Sequence, residues 1–183
     1  MTISFDSIKN DFYELRDFIL NDLELLVSLP RGGNYAAALL ITTACETIGR
    51  LRYKAGDGSE FFKNYLVPND WKPVAFSIFD ALRNGLAHSF ATKAIIQIPE
   101  APLELGISWK EKPHFTYDPN EGCVYINIAD LSRALKRGFD IYEKELRADP
   151  KLSDLFRKRR QRKRALDVRD HTEGEAWKKL LST

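Results

Sequence analysis

The chain has 183 residues, of which 44% are hydrophobic and 30% charged, and its formal net charge at pH 7 is +2. This length suits one domain, which buries about 70% of the surface of the unfolded chain. Cys45 and Cys123 are the only cysteines, which argues against a disulfide framework or a Cys/His metal cluster. The most apolar run, Ala36 to Cys45, is about half of the ~20 residues of a membrane span, so we expect a cytoplasmic protein without a membrane partner.

The first predicted element is an amphipathic helix over residues 3–29. Its apolar residues recur at intervals of three or four, while Asp, Glu, Lys and Asn fill most other positions. This spacing is typical of a helix that packs one face against a core. Pro30 and two glycines end the helix, and Asn34 is the expected N-cap of the next one. The predicted core face consists of Phe5, Ile8, Phe12, Leu15, Ile19, Leu23 and Leu26.

Residues 35–54 predict a second, more buried helix, because apolar side chains cover most of its circumference. Its narrow polar stripe contains Glu46, and Arg50 follows one turn later. Two interpretations of Glu46 are open. Glu46 and Arg50 form a surface ion pair, with Gly49 allowing close packing, or Glu46 faces Arg83 and His88 from an adjacent helix and orients one of them.

Residues 56–59, Gly-Asp-Gly-Ser, predict a loop, and a short helix is expected around Glu60–Leu66. The glycines do not make a phosphate-binding loop, since the required Gly-Lys-Ser/Thr and the preceding strand are missing. Asp70 is then the expected N-cap of a further helix, with Pro73 in its first turn.

The stretch from Asp80 to His88 places polar side chains inside an apolar helical run. A buried guanidinium, amide or imidazole needs partners, so this stretch indicates a satisfied structural network or a site. On a regular helix Asp80, Asn84 and His88 share a face. Arg83 and His88 are separated by roughly 140° of rotation and about 7.5 Å of rise. We therefore expect a break at Gly85, or a homodimer in which a second copy completes the site.

After His88 the hydrophobic period changes to two, which is typical of strands. Residues 94–98, 103–109, 115–117 and 123–128 are the candidate strands, and residues 118–122 supply turn chemistry. We predict an antiparallel β-meander of three or four strands, inserted at about residues 92–128 of a helical protein. His114 is expected to be a solvated loop histidine.

Asp130 is the expected N-cap of a helix over Leu131–Arg147, which Asp149-Pro150 ends. We divide the chain into a helical domain, residues 1–150, and a basic C-terminal helix and tail, residues 151–183. The predicted core stripe of the Leu131–Arg147 helix consists of Leu131, Leu135, Phe139, Tyr142 and Leu146.

Basic residues concentrate at the C-terminal end. Residues 1–130 contain 12 Lys+Arg against 17 Asp+Glu, whereas residues 131–183 contain 16 against 9. Seven of the eight residues from 157 to 164 are basic, too many for one helix face. This run is therefore either solvated or bound to an anion such as the phosphates of RNA. Its basic members are Arg157, Lys158, Arg159, Arg160, Arg162, Lys163 and Arg164.

Arg83, Asn84 and His88, within Leu-Arg-Asn-Gly-Leu-Ala-His, resemble the Arg-x(4–6)-His signature of the HEPN superfamily (higher eukaryotes and prokaryotes nucleotide-binding). Arg164 and His171 also fit the spacing, but they lack an apolar framework and we attribute that match to chance. The resemblance implies a mainly α, HEPN-like up-and-down helical bundle over residues 1 to about 147. It also implies a metal-independent endoribonuclease.

Arg83 and His88 are the catalytic candidates, and Glu46, Asp80 and Asn84 the supporting ones. An imidazole with a pKa near 6.5 transfers protons to or from ribose and phosphate oxygens, while a guanidinium holds a phosphate as charge builds on it. This chemistry needs no metal or cofactor and gives a 2′,3′-cyclic phosphate. We expect RNA as partner, a toxin or defence role, and an antitoxin or nucleotidyltransferase as a further partner.

The alternative function is a catalytically inert HEPN-like module that binds RNA, a nucleotide or a protein. In that case Arg83–Asp80 and Asn84–His88 are satisfied contacts near the end of a helix.

Overall fold

The computed structural model of the chain describes residues 3–29, 33–53, 57–86, 93–97, 102–108 and 111–161, together with residues 175 and 178. These residues form a mainly helical fold with a small four-stranded mixed sheet. The longest helices among them are α1 (Lys9–Ser28), α2 (Asn34–Arg52), α5 (Ile128–Ala148) and α6 (Pro150–Arg160), and a 3-10 turn over Phe5–Ser7 precedes α1.

The core face predicted for the first helix is confirmed, with Leu26 partly buried and the other predicted residues buried. Phe12 lies within an aromatic cluster that joins α1, α5 and α6. Its ring centroid is 6.2 Å from those of Phe139 and Tyr142 and 6.1 Å from that of Phe156. Large buried rings contribute much of the hydrophobic stabilisation of a small domain. Leu152 and Phe156 of α6 belong to the same buried cluster.

Helix α2 has Gly33 as its N-cap, so the predicted N-cap, Asn34, is instead the first helical residue. Gly33 has a φ of 82°, in the left-handed region that glycine reaches without steric cost. Helix α2 is largely buried, as predicted, although Leu39 is exposed.

The segment between α2 and the sheet changes helix type several times. Helix α3 (Gly58–Phe61) continues into a π-helical turn over Phe62–Leu66. A 3-10 helix over Asn69–Val74 leads into α4 (Ala75–Asp80), which continues into a second π-helical turn over Ala81–Leu86, the motif turn. Such turns close i→i+5 hydrogen bonds, occur mostly as single turns within α-helices, and are frequent at functional sites.

Two predicted starts in this segment need correction. Helix α3 begins at Gly58, within the predicted loop. Its N-cap is Asp57, whose carboxylate accepts from the backbone N–H of Ser59 at 3.1 Å. Asp70 lies inside the 3-10 helix and does not cap it. The backbone N–H of Trp71 donates to the carbonyl of Pro68 at 3.0 Å, so the backbone itself closes that first turn.

The predicted strands are confirmed, but the antiparallel meander is wrong. Strands β1 (Lys93–Ile96), β2 (Leu103–Ser108), β3 (Thr116–Asp118) and β4 (Cys123–Asn127) are ordered β1-β2-β4-β3. The β2–β4 pair is parallel and the other two pairs are antiparallel. Most of β4 is buried and it lies inside the sheet, whereas the short β3 forms an edge. Alternation identifies strands but carries no information about their order.

Helix α5 begins three residues earlier than predicted, and its N-cap is Asn127 rather than Asp130. The side-chain oxygen of Asn127 accepts from the backbone N–H groups of Ala129 and Asp130, each at 3.1 Å. The predicted core stripe of this helix is buried. Asp149 follows α5 and caps α6, accepting from the backbone N–H of Lys151 at 2.8 Å.

Candidate functional site

The motif turn carries Arg83 and Asn84 and packs against both α2 and β1. Ile78, Phe79 and Leu82 are buried and hold α4 and the turn against the core. Arg83 and Asn84 are exposed on the opposite side. The apolar residues therefore fix the turn, and the polar residues remain accessible to a ligand.

Glu46 of α2 forms an ion pair with Arg83, with 2.5 Å between Oε1 of Glu46 and Nε of Arg83. The side chain of Arg83 is 47% exposed and that of Glu46 is 27% exposed. Within the described ranges Arg83 makes no ion pair with Asp80, which is exposed. The contact that the inert alternative expected between those two residues is therefore not formed.

The predicted surface ion pair between Glu46 and Arg50 is also not formed. Nε of Arg50 instead donates to the backbone carbonyl oxygen of Glu46 at 3.2 Å, and Arg50 is exposed. Arg50 and Arg83 therefore both contact Glu46, one at its backbone and the other at its carboxylate.

Two glycines fix the position of Glu46 relative to α3. A Cβ on Gly58 would lie 2.7 Å from the Cα of Glu46, and a Cβ on Gly49 would collide with the carbonyl oxygen of Asp57. Backbone atoms cannot move aside as the end of a flexible side chain can. Any side chain at Gly58 would therefore push α3 away from α2 beside Glu46.

Cys45 precedes Glu46 and is fully buried. Burial raises the pKa of its thiol strongly, and the negative charge of Glu46 acts in the same direction. Since the thiolate is the nucleophilic form of cysteine, Cys45 acts here as a small apolar core residue. Cys123 is likewise buried.

His88 lies outside the described residues. The expected 140° divergence between Arg83 and His88 assumed an α-helix from one residue to the other. In the described part of this interval, up to Leu86, the chain is π-helical, so that assumption does not hold. The divergence therefore no longer argues for a second copy of the chain.

The basic run is described as far as Arg160, and most of its described residues contact the protein itself. Arg157 and Lys158 pair with Asp154 at 3.3 Å and 2.6 Å. Arg159 donates to carbonyl oxygens at the C-terminus of α2, to that of Arg50 at 2.9 Å and also to that of Tyr53. Arg160 is exposed, whereas Arg162, Lys163 and Arg164 lie outside the described residues, as does His171.

His114 lies in a turn, as predicted, but the prediction that it is solvated is wrong. Both ring nitrogens are buried and, within the described part of the chain, lack a hydrogen-bond partner. Burial lowers the pKa of His114 from its ordinary value of 6.5 to about 4, and Arg137 and Arg133 act in the same direction, against Asp130. The next residue, Phe115, has a φ of 51°, a strained value for a bulky side chain. Its buried ring packs against Trp71, with 5.6 Å between the ring centroids.

Comparison with protein-family models, with curated proteins and with solved structures finds no match to this chain. In the described ranges, no helix combines the length and hydropathy that crossing a membrane requires. The same ranges contain no cluster of three or more His, Cys, Asp or Glu residues placed to hold a metal ion.

Sequence reasoning missed the contribution of Gly58 and Arg50 to this region. Gly58 was assigned to a loop, and nothing in the local pattern indicates that its Cα packs on Glu46. Arg50 was considered only as a partner of the Glu46 carboxylate. Its i,i+4 spacing from Glu46 did indicate proximity, but that spacing does not distinguish a carboxylate contact from a carbonyl contact.

Proposed function

We propose that this protein is a metal-independent endoribonuclease of the HEPN type, in which Arg83 holds the scissile phosphate and His88 transfers a proton. The observation that carries the proposal is the placement of Arg83, half-exposed in a π-helical turn and anchored at Nε by Glu46. A guanidinium held at Nε presents its two Nη groups outward, as a fork that matches two phosphate oxygens.

In this mechanism the ribose 2′-oxygen bonds to phosphorus while the bond from phosphorus to the 5′-oxygen breaks. His88 takes the proton from the 2′-OH or gives one to the leaving 5′-oxygen, and water makes the other transfer. Arg83 stabilises the negative charge that builds on the phosphate oxygens. Asn84 positions His88 or the phosphate. The products are a 2′,3′-cyclic phosphate and a 5′-hydroxyl.

Labelled RNA incubated with the protein in excess EDTA tests this function. We expect cleavage by the wild type and a rate about 10²–10⁴ lower for His88→Ala, because that variant lacks the proton-transfer group. Binding should change little, since a neutral imidazole contributes little to holding a polyanion. An RNA with 2′-deoxyribose at the cleaved position should resist cleavage, because it lacks the attacking 2′-oxygen. Equal cleavage by wild type and His88→Ala would contradict the proposal.

A second candidate is the inert HEPN-like binding module. The Glu46–Arg83 ion pair favours it in one respect, since the pair links α2 to the motif turn and has a structural role without any reaction. In a binding module His88→Ala reduces affinity modestly, and no RNA is cleaved under any condition. Measurable binding without cleavage would therefore favour this second candidate.

A protein partner is part of the proposal, in a toxin or defence role with a second copy, an antitoxin or a nucleotidyltransferase. An apolar face on α1 and α2 supports a partner of this kind. Phe18 is 69% exposed, Leu25 is 68% exposed, and Leu29 and Leu39 are each 43% exposed. Leu25 and Leu39 line one groove between the two helices, and exposed apolar surface of this kind is typical of interaction sites. Light scattering should return the mass of a dimer for the isolated chain, and a strict monomer would count against the second copy.

A further inference from the structure

The surface of α2 beside Glu46 carries a second guanidinium, that of Arg50. Arg83 contacts the Glu46 carboxylate from the motif turn, and Arg50 contacts the Glu46 carbonyl from the next turn of α2. Both arginines are exposed. Arg50 thus contacts the same residue that anchors Arg83, and it forms no ion pair with the Glu46 carboxylate.

This surface is joined to the basic run by Arg159. The guanidinium of Arg159 donates to the carbonyl oxygen of Arg50 itself at 2.9 Å and to that of Leu51 at 3.5 Å. The negative end of the α2 dipole lies at these carbonyls, so a cation there is favourable. The contact fixes the C-terminal end of α6 against the last turn of α2. Arg160 follows Arg159 in α6 and is exposed, and the basic sequence continues at residues 162–164.

We propose that Arg50 binds the RNA phosphate next to the one held by Arg83, and that the strand continues along the end of α2 to Arg160. Arg83, Arg50 and Arg160 form the arginine track. The inference rests on the proposed function, because it takes Arg83 as the phosphate ligand at the cleaved bond. In this arrangement Arg159 serves as the structural link between α2 and α6, and Arg160 continues the contact with the nucleic acid.

A single-stranded polyanion fits the track better than a compact anion does. The three arginines belong to three separate elements, the motif turn, the end of α2 and the end of α6, and the motif turn and α6 each contact α2. A free nucleotide would reach one or two of them, whereas consecutive phosphates of an RNA strand would reach all three. Each phosphate contact releases counterions and thereby adds to the salt dependence of binding.

The test uses a short 2′-O-methyl RNA, which binds but cannot be cleaved because its 2′-oxygen is blocked. Fluorescence anisotropy gives its affinity for the full chain as salt is raised. We expect Arg50→Gln and Arg160→Gln each to make the slope of log affinity against log salt shallower by roughly 0.7. Arg137→Gln is the matched control, since it removes the same charge from the exposed face of α5, and its slope should equal that of the wild type.

Arg50→Lys separates charge from folding, because it keeps the cation and should restore most of the salt slope. A wild-type slope in Arg50→Gln would overturn the proposal, whether or not Arg160→Gln flattens it. Binding of the wild type to anionic phospholipid vesicles but not to the oligonucleotide would overturn it as well.

The two proposals fail in different ways. A flattened slope in Arg50→Gln without any cleavage of ordinary RNA supports the track and removes the nuclease. Cleavage of ordinary RNA with an unchanged slope in Arg50→Gln supports the nuclease and removes the track.

Discussion

The aromatic core and the helical segment that carries Arg83 are built in different ways. Helices α1, α5 and α6 are regular α-helices, joined by Phe12, Phe139, Tyr142 and Phe156. The segment from Gly58 to Leu86 instead passes through α, π, 3-10, α and π geometry. It is held to α2 by backbone contacts at Gly49 and Gly58 and by the Glu46–Arg83 ion pair.

This difference separates stability from the placement of polar groups. The core depends on the volume of buried rings, so a substitution there lowers stability in proportion to the cavity that it leaves. The Gly58–Leu86 segment depends on close backbone approach and on local turns that a regular helix would not contain. Departures from regular geometry concentrate at functional sites, where surrounding structure holds them in place. Substitutions in the core should therefore mainly change the free energy of unfolding, whereas substitutions in the Gly58–Leu86 segment should also change the rate of RNA cleavage.

The largest effect is expected in the core. Phe12→Ala should lower the free energy of unfolding by about 3–5 kcal/mol, because it leaves a cavity beside the rings of Phe139, Tyr142 and Phe156. This loss can be measured by urea denaturation, with circular dichroism as the signal. Ile141→Ala on α5 is the control, since Ile141 is exposed and its removal should lower stability much less. Equal losses in the two variants would contradict the assignment of the core.

Gly58→Ala should have a smaller effect on stability and a clear effect on activity. Its Cβ would lie 2.7 Å from the Cα of Glu46, which costs about 1–3 kcal/mol and displaces Glu46. Denaturation and RNA cleavage should both be measured. Gly122→Ala is the control, because Gly122 has a φ of 60° but no atom within 4 Å of its added Cβ. It should lose stability through backbone strain and keep full activity per folded molecule.

His114 should make stability fall as the pH is lowered from about 6.5 towards 4. Its folded pKa is lowered to about 4, so over this range the unfolded chain binds a proton that the folded chain does not. The loss should amount to about 1–2 kcal/mol after allowance for partial exposure. Asp118 and Glu143 also have lowered pKa values, so the useful measurement is the difference between the denaturation curves of wild type and His114→Leu. A pH-independent difference would show that His114 is not buried as a neutral group.

Asn127→Ala should cost about 1 kcal/mol, since the side chain caps two backbone N–H groups at the start of α5. Asp130→Ala is the comparison. Asp130 is the N-cap that the sequence predicted, but its carboxylate pairs with the exposed side chain of Arg133 instead of capping the helix, so its removal should cost less. If the helix began at Leu131, Asp130→Ala would instead lose more stability than Asn127→Ala. Thermal denaturation of both variants decides between these starts.

The regular helices could be predicted because their apolar spacing follows one period. The core faces of α1 and α5 and the strand segments were all legible in this way. The Asn127 cap was missed because Asn127 and Asp130 are both good capping residues and the choice depends on where β4 ends. Strand order was missed because the parallel β2–β4 pairing brings together segments that are not consecutive in the sequence.

The candidate site was only partly predictable for a related reason. The polar residues near Arg83 stood out against an apolar run, and Glu46 was recognised as a potential partner. The π geometry of Ala81–Leu86 could not be read, because a 3.6-residue pattern fits the same six residues. The close packing of Gly58 on Glu46 is a long-range contact between elements, which local sequence does not encode.

In the proposed mechanism Glu46 acts on the reaction through Arg83, and a double-mutant cycle measures whether the two residues act together. The rates of RNA cleavage in EDTA should be compared for wild type, Glu46→Gln, Arg83→Ala and the double variant. Arg83→Ala should lose about 10²–10³ in rate and Glu46→Gln less. The double variant should be no slower than Arg83→Ala, because without Arg83 Glu46 has no guanidinium to orient. Rate losses that multiply in the double variant would contradict it.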